Sequence, residues 1–406
     1  MAKGKRQKKG KRSGASKPAG RATSSGARAR GTPDATIAAP THEAAFPIVG
    51  IGASAGGLAA FEGFFAGMPA DKPPGMAFVL VQHLAPDHKS ILTELVKRCT
   101  TLQVFEVEHG MRVQQNCAYI IPPNRDMALV NGALELIEPT APRGLRLPID
   151  FFFSSLADDQ RERAIGVVLS GTGSDGAQGV RAIKAAGGIA IAQTPESTEY
   201  DGMPRSAIAT GLVDYVLPPS AMVDQLMAYA AFGRAAHVVA PQTPVTEKAW
   251  RDLFALLSAH TGHDFSLYKA NTIARRVERR MAVLRVEKLG EYVQYLGESP
   301  GEVEALFRDL LIGVTGFFRD PEAFRVLETL AIPRLLAEAA PGATIRVWVP
   351  GCSTGEEAYS IAILLHEQAE ALKRALKLQI FATDIDTRAI EAARAGIYPV
   401  SIAADV

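Results

Sequence analysis

Between Phe46 and about Ala235, short apolar runs alternate with amphipathic stretches. The runs are "FPIVGIGA", "MAFVLVQH", "CAYIIPP", "AIGVVLSG", "GIAIAQT" and "VDYVLP". Each is continuous rather than alternating, which is the pattern of strands buried on both faces of a parallel sheet with helices between them. "HVVAPQTPVTE" has little periodicity and two prolines, and reads as a linker over 236–246. No strand-like run follows from 247 to 317. There, "RRVERRMAVLRVEKLGEYVQYL" places Val277, Met281, Leu284, Leu289, Val293 and Leu296 at helical spacing with arginines between them, so a small helical domain is expected. From 318 the α/β pattern returns: "TIRVWVPG" and "LQIFATDID" read as strands, "EEAYSIAILLHEQAEAL" and "TRAIEAARAG" as helices. The expected fold class is α/β. A doubly wound parallel-sheet domain spans 45–235, a helical domain follows, and a Rossmann-like domain begins at 318, with two of its strands before Val406.

A chain of 406 residues, 47% of them apolar, has room for two or three ordinary cores. Its net charge of +1 removes any global argument for nucleic acid, and no specific nucleic-acid partner is expected. Locally the balance differs. "MAKGKRQKKGKRSGASKPAGRATSSGARARGTP" is rich in Lys and Arg, has no acid and almost no large apolar side chain. Such a segment cannot offset the entropy of ordering, and residues 1–44 read as a disordered basic tail suited to non-specific anion binding. No apolar segment follows it as in a secretory signal, and no run approaches the roughly 20 residues that span a bilayer. Cys99, Cys117 and Cys352 are scattered without metal-ligand spacing, so thiols in a reducing cytoplasm are expected and no metal.

Two glycine-rich loops carry the candidate chemistry. In "PIVGIGASAGG", Gly50, Gly52 and Ala55 fit a dinucleotide fingerprint, and Gly52, Ser54 and Gly56 fit a nucleophile elbow. "PGCSTGEE" raises the same ambiguity at Gly351, Ser353 and Gly355. A nucleotide fold places an acid at the end of the next strand to hold ribose hydroxyls. The strand after the first loop ends in Gln82-His83, whereas the strand after the second ends in Thr383-Asp384. The second loop therefore passes the ribose test and the first does not. In the first domain, Ser54, His83 and Asp175 each close a predicted strand or follow it in a turn. Carboxyl strand ends share one edge of a parallel sheet, so this nucleophile, base and orienting carboxylate can meet there. Singly, each has a plainer reading: Ser54 as a helix cap, Asp175 as a turn residue, and His83 as a surface residue with His88 as the base instead.

"IGASAGG", "VQHL", "YIIPPN", "SGTGSDGAQG" and "YDGMPRSAI" together resemble the catalytic domain of the chemotaxis methylesterase family, CheB. The resemblance implies Ser54 as nucleophile, His83 as general base and acid, and Asp175 as its orienting residue. The implied substrate is the γ-glutamyl methyl ester of methyl-accepting chemoreceptors, with glutamine deamidation an open alternative. Ala55 stands where that family often has threonine, and Thr172 where a methionine often helps form the oxyanion hole. The basic tail is too short for the receiver domain that usually precedes this unit. From about Thr246, "ARRVERRM", "GVTGFFRD", "GCSTGEEAYSIAI", "FATDIDTRAI" and "AGIY" resemble the chemotaxis methyltransferase family, CheR. The cofactor this implies is S-adenosyl-L-methionine, held by Thr315, Arg319, Glu357 and Asp384, with Ser353 a loop residue beside it. Gly313 replaces an asparagine usual in that family, and the family's later strands are expected beyond Val406. The two resemblances together imply a cytoplasmic protein that removes and adds receptor methyl groups. The rival from another class is a non-catalytic scaffold that retains the folds, which Ala55, Thr172 and Gly313 favour.

Overall fold

The structure is a computed structural model that describes residues 46–69, 71–82, 91–139, 146–235, 244–311, 313, 315–340, 342–373, 377–398 and 402. The basic tail, most of the linker, His83 and His88 lie outside the described residues.

The first domain runs β1 (Ile48–Ala53), α1 (Gly57–Ala66), β2 (Ala77–Gln82), α2 (Ile91–Cys99), β3 (Gln103–Glu106), β4 (Met111–Arg112), β5 (Cys117–Ile120), β6 (Asp126–Val130) and β7 (Ala133–Ile137). It continues with α3 (Pro148–Gln160), β8 (Ala164–Val168), α4 (Ala177–Ala186), β9 (Ile189–Gln193), α5 (Gly202–Ala209), β10 (Tyr215–Leu217) and α6 (Pro219–Ala235). Seven strands form one parallel sheet in the order β10-β9-β8-β1-β2-β5-β3. β1, β8 and β9 are buried along their whole length, which is why their sequences are continuously apolar. Alternate strand residues feed two cores. Val79 and Val168 pack with α3 and α4 on one face, and Ile51 and Leu80 with α1 and α6 on the other. The doubly wound architecture read from the sequence is present.

Two features differ from the sequence reading. β3 extends the sheet by one strand, and β4, β7 and β6 form a separate antiparallel sheet. β3 and β7 are partly exposed and lack continuous apolar runs, whereas β6 carries a short one, Met127–Val130, with three consecutive residues buried. The β6–β7 hairpin turns through Asn131 (φ 51°) and Gly132 (φ 74°), the left-handed pair that a two-residue hairpin requires.

The helical domain comprises α7 (Pro244–Thr261), α8 (Ala270–Leu284), α9 (Leu289–Glu298) and α10 (Pro300–Leu310) around Leu253, Leu257, Val277, Met281, Tyr292 and Leu306. Arg285, at φ 58°, ends α8, so the periodic run from Val277 to Leu296 is split between two helices. The last part has α11 (Pro321–Val326), α12 (Ile332–Glu338), β11 (Thr344–Pro350), α13 (Glu356–Ala371), β12 (Lys377–Thr383) and α14 (Thr387–Ala395), with β11 and β12 paired in parallel.

Candidate functional site

β1 delivers the chain to a sharp elbow. Gly56 takes the left-handed turn at φ 73°, and α1 starts one residue later. A Cβ on Gly56 would lie 2.5 Å from Ser170 Oγ, so glycine is required there by conformation and by space. Ser54, half-buried, sits at the top of this turn, and its N–H donates to the Ser170 carbonyl at 2.9 Å. Gly50 and Gly52 lie inside β1 rather than in the loop. A Cβ on Gly52 would come 2.3 Å from an Ile149 methyl carbon, so these glycines let α3 pack closely on the sheet. That removes the phosphate-cradle reading of the first loop.

Strand order places the partners. From β1 the chain moves to β2 on one side and later returns with β8 on the other. The loops after β1 and β8 therefore open a crevice at the switch point, where doubly wound folds bind ligands. Ser54 follows β1, and Asp175 follows β8 at the start of α4. Asp175 is 4% exposed and accepts from the N–H groups of Ile149 (3.1 Å) and Asp150 (2.8 Å), one at each oxygen. β2 ends at Gln82, in register with Ala53. The next residue, His83, lies outside the described residues.

Sequence reasoning missed the supports. Gln193, closing β9, accepts from Ser170 N at 2.9 Å, and Ser170 Oγ donates to the Ala55 carbonyl at 2.8 Å. Both are polar residues closing continuous apolar strands, a signal the sequence did carry. Gly171 packs against Ser54; a Cβ there would lie 3.0 Å from Ser54 Cβ and 2.1 Å from Met203 Sδ.

The second loop leads from β11 through Gly351 (φ 66°), Ser353 (φ 47°) and Gly355 (φ 98°) into α13. Thr315, Arg319, Glu357 and Asp384 all line one cavity of about 710 Å³, together with Gly313 and Ser353. Asp384 Oδ2 accepts from Ser353 N at 2.7 Å and Oδ1 from Asp386 N at 2.8 Å, which fixes the carboxylate at the strand end. Ser353 thus belongs to the cavity wall. The cavity suits S-adenosylmethionine in size and charge. Among its lining residues, Asp384 could accept from ribose hydroxyls, the acids Glu357 and Asp320 could face cationic sulfonium and ammonium groups, and Arg319 could face a carboxylate.

Fold and sites together define a two-part protein: a doubly wound domain with a serine-bearing elbow at its switch point, and a nucleotide-type cavity on a second parallel sheet. Residues 49–226 match CheB methylesterase, 248–311 match the all-alpha domain of CheR methyltransferase, and 313–406 match the S-adenosylmethionine-binding domain of CheR methyltransferase. The chain joins a CheB-type methylesterase domain to both domains of a CheR-type methyltransferase. It is 41% identical over 337 residues to an uncharacterized 104.1 kDa protein of Rhodobacter capsulatus, covering 78% of this chain and 35% of that protein. It is 33% identical over 222 residues to the protein-glutamate methylesterase/protein-glutamine glutaminase of Salmonella typhimurium, covering 52% of this chain and 63% of that one. The crystal structure of the Thermotoga maritima CheB methylesterase catalytic domain is 30% identical, with 45% of this chain and 98% of that one covered and a TM-score of 0.42. The chain spans less than two thirds of the curated relatives' length.

Proposed function

We propose that the first domain hydrolyses glutamate γ-methyl esters on methyl-accepting chemoreceptors, and that the second part, supplied with S-adenosylmethionine, methylates the same class of glutamate, in the cytoplasm. The observation that carries the hydrolase reading is that Ser54 and Asp175 lie in the loops that follow β1 and β8, the two strands flanking the switch point.

In this mechanism Ser54 Oγ attacks the γ-carbonyl carbon while His83 takes its proton. Asp175, held by the start of α3, orients His83 and stabilises the imidazolium. The Cδ–OCH3 bond of the ester breaks, and His83 returns the proton to the departing oxygen, giving methanol. Water, deprotonated by His83, then attacks the glutamyl-serine ester, and the proton goes back to Ser54 as glutamate leaves. The N–H groups of Ser54 and Gly171 are committed to the Ser170 and Tyr200 carbonyls. In this mechanism the oxyanion donors are therefore the N–H groups of Ala55 and Thr172, so the side chain at 172 need not supply one.

In the second part Asp384, Glu357 and Arg319 would hold the cofactor, whose sulfonium supplies the methyl group when bound. Thr315 closes the cavity from the segment after α10.

Methanol release from a methylated receptor, in the absence of S-adenosylmethionine, tests the hydrolase reading. No release above the uncatalysed rate would leave the domain as an interaction module in a signalling assembly.

A further inference from the structure

We infer that Asp150 is a positioning residue of the hydrolase site, which holds the loop presenting Asp175 by capping α4 from the facing helix. The inference rests on the hydrolase reading above.

The first turn of each helix leaves N–H groups without intrahelical partners. In α3 the Ile149 and Asp150 N–H groups are taken by Asp175, which precedes α4. In α4 the cap residue is Gly176 at φ 94°, which has no side chain to offer. Asp150 supplies the missing acceptor from α3. Its Oδ1 accepts from Gly179 N at 2.6 Å, and the backbone N–H groups of Gly176 and Gln178 lie near enough to favour its charged form. The two helices therefore exchange caps, each carboxylate serving the other's helix start. Gly179 lets the helices approach, since a Cβ there would lie 2.4 Å from Phe153 Cβ. Asp175 cannot swing without uncapping α3, and the turn that carries it cannot move without breaking the bonds to Asp150.

Both carboxylates are buried, at 8% and 4% exposure, and close enough to interact. Burial first, and then the charge of Asp175, push the Asp150 carboxyl up to about 8, against the pull of the three N–H groups. Asp175 is the charged side chain that acts on it most strongly, and the start of α4 turns backbone N–H groups toward it. With its carboxyl raised in this way, Asp150 is expected to serve as a neutral acceptor at neutral pH, and its ionisation at higher pH would set a second negative charge against Asp175.

Rates of methanol release from a peptide carrying a glutamate γ-methyl ester, measured on the 406-residue chain from pH 6 to 9, test this. Asp150→Ala is expected to lower kcat by about 10²-fold with KM little changed, as for a displaced catalytic group. Asp150→Asn, a neutral acceptor of the same shape, restores kcat near pH 6.5, and its kcat relative to the parent chain rises as the pH passes about 8. Wild-type kcat in Asp150→Ala, or a ratio for Asp150→Asn that stays flat or falls across the range, would overturn the inference while leaving the hydrolase reading intact. Should Asp150→Ala not fold, the Asp150→Asn profile decides. A parent chain that releases no methanol overturns the hydrolase reading itself.

Discussion

Asp214 of the doubly wound domain and Arg279 of the helical domain meet at 2.6 Å, with 2% and 3% of their side chains exposed. Lys184 joins the same carboxylate oxygen at 2.6 Å, Asp309 pairs with Arg279, and Arg280 binds Glu302. Three cations face three anions out of water, from two domains. Arg276 adds two bonds of 2.7 Å to the carbonyls of Lys184 and Ala185 at the end of α4, where a cation also suits the helix dipole. The helix that begins beside Asp175 thus ends on the helical domain.

Removing Asp214 should separate the two domains' stabilities. Taking one partner out of a buried ion pair costs about 3–5 kcal/mol, because the remaining charges stay desolvated. Burial would raise the Asp214 carboxyl, but Lys184 and Arg279 outweigh it and hold it down at about 2. Its folded pKa is below the unfolded value of roughly 3.9. Its contribution is therefore present above pH 4 and lost as pH falls through about 2. Denaturant unfolding should show a lower midpoint for Asp214→Ala at pH 7, and a weaker loss of stability between pH 4 and 2 for Asp214→Asn than for the parent chain. Identical curves would show that the pair holds nothing together.

Ser54→Ala should abolish ester hydrolysis and leave the unfolding midpoint unchanged, since the Ser54 N–H, not its hydroxyl, makes the bond to Ser170. Loss of a triad member in serine hydrolases costs on the order of 10⁴–10⁶ in rate. Near-normal turnover would take Ser54 out of the mechanism.

The histidines separate by position. His83 directly follows Gln82, the last residue of β2, whose register partner Ala53 precedes Ser54. His83→Ala should match Ser54→Ala in methanol release, and His88→Ala should keep most of the activity. The reverse ranking would reassign the base.

Asp384→Ala should weaken S-adenosylmethionine binding by about tenfold or more, the value of about 1.5–3 kcal/mol for a charged hydrogen-bonding anchor. It also frees the Ser353 and Asp386 N–H groups that shape the cavity. Calorimetric titration of the parent and variant chains reads this directly, and equal affinities would move the ribose away from Asp384.

The central strands were legible because burial on both faces leaves a continuous apolar run, and the loop chemistry was legible because strand ends are where such a run meets its first polar residue. That reasoning led to Ser54, Asp175 and Asp384 without any knowledge of strand order. It missed β4 and β7, whose partial exposure dilutes the apolar signal, and β6, whose apolar run is short, although Asn131-Gly132 marked the β6–β7 hairpin. Which loops become neighbours was a matter of topology: β8 returns beside β1 rather than beyond β5, and this sets the turn of Asp175 next to that of Ser54. The cap exchange between Asp150 and Asp175 joins residues 25 apart, and the Asp214–Arg279 pair joins residues 65 apart. A charge on a helix reads as solvent-facing until another element closes over it. Only packing in three dimensions removes the water and makes such a charge a partner, a cap or a shifted acid.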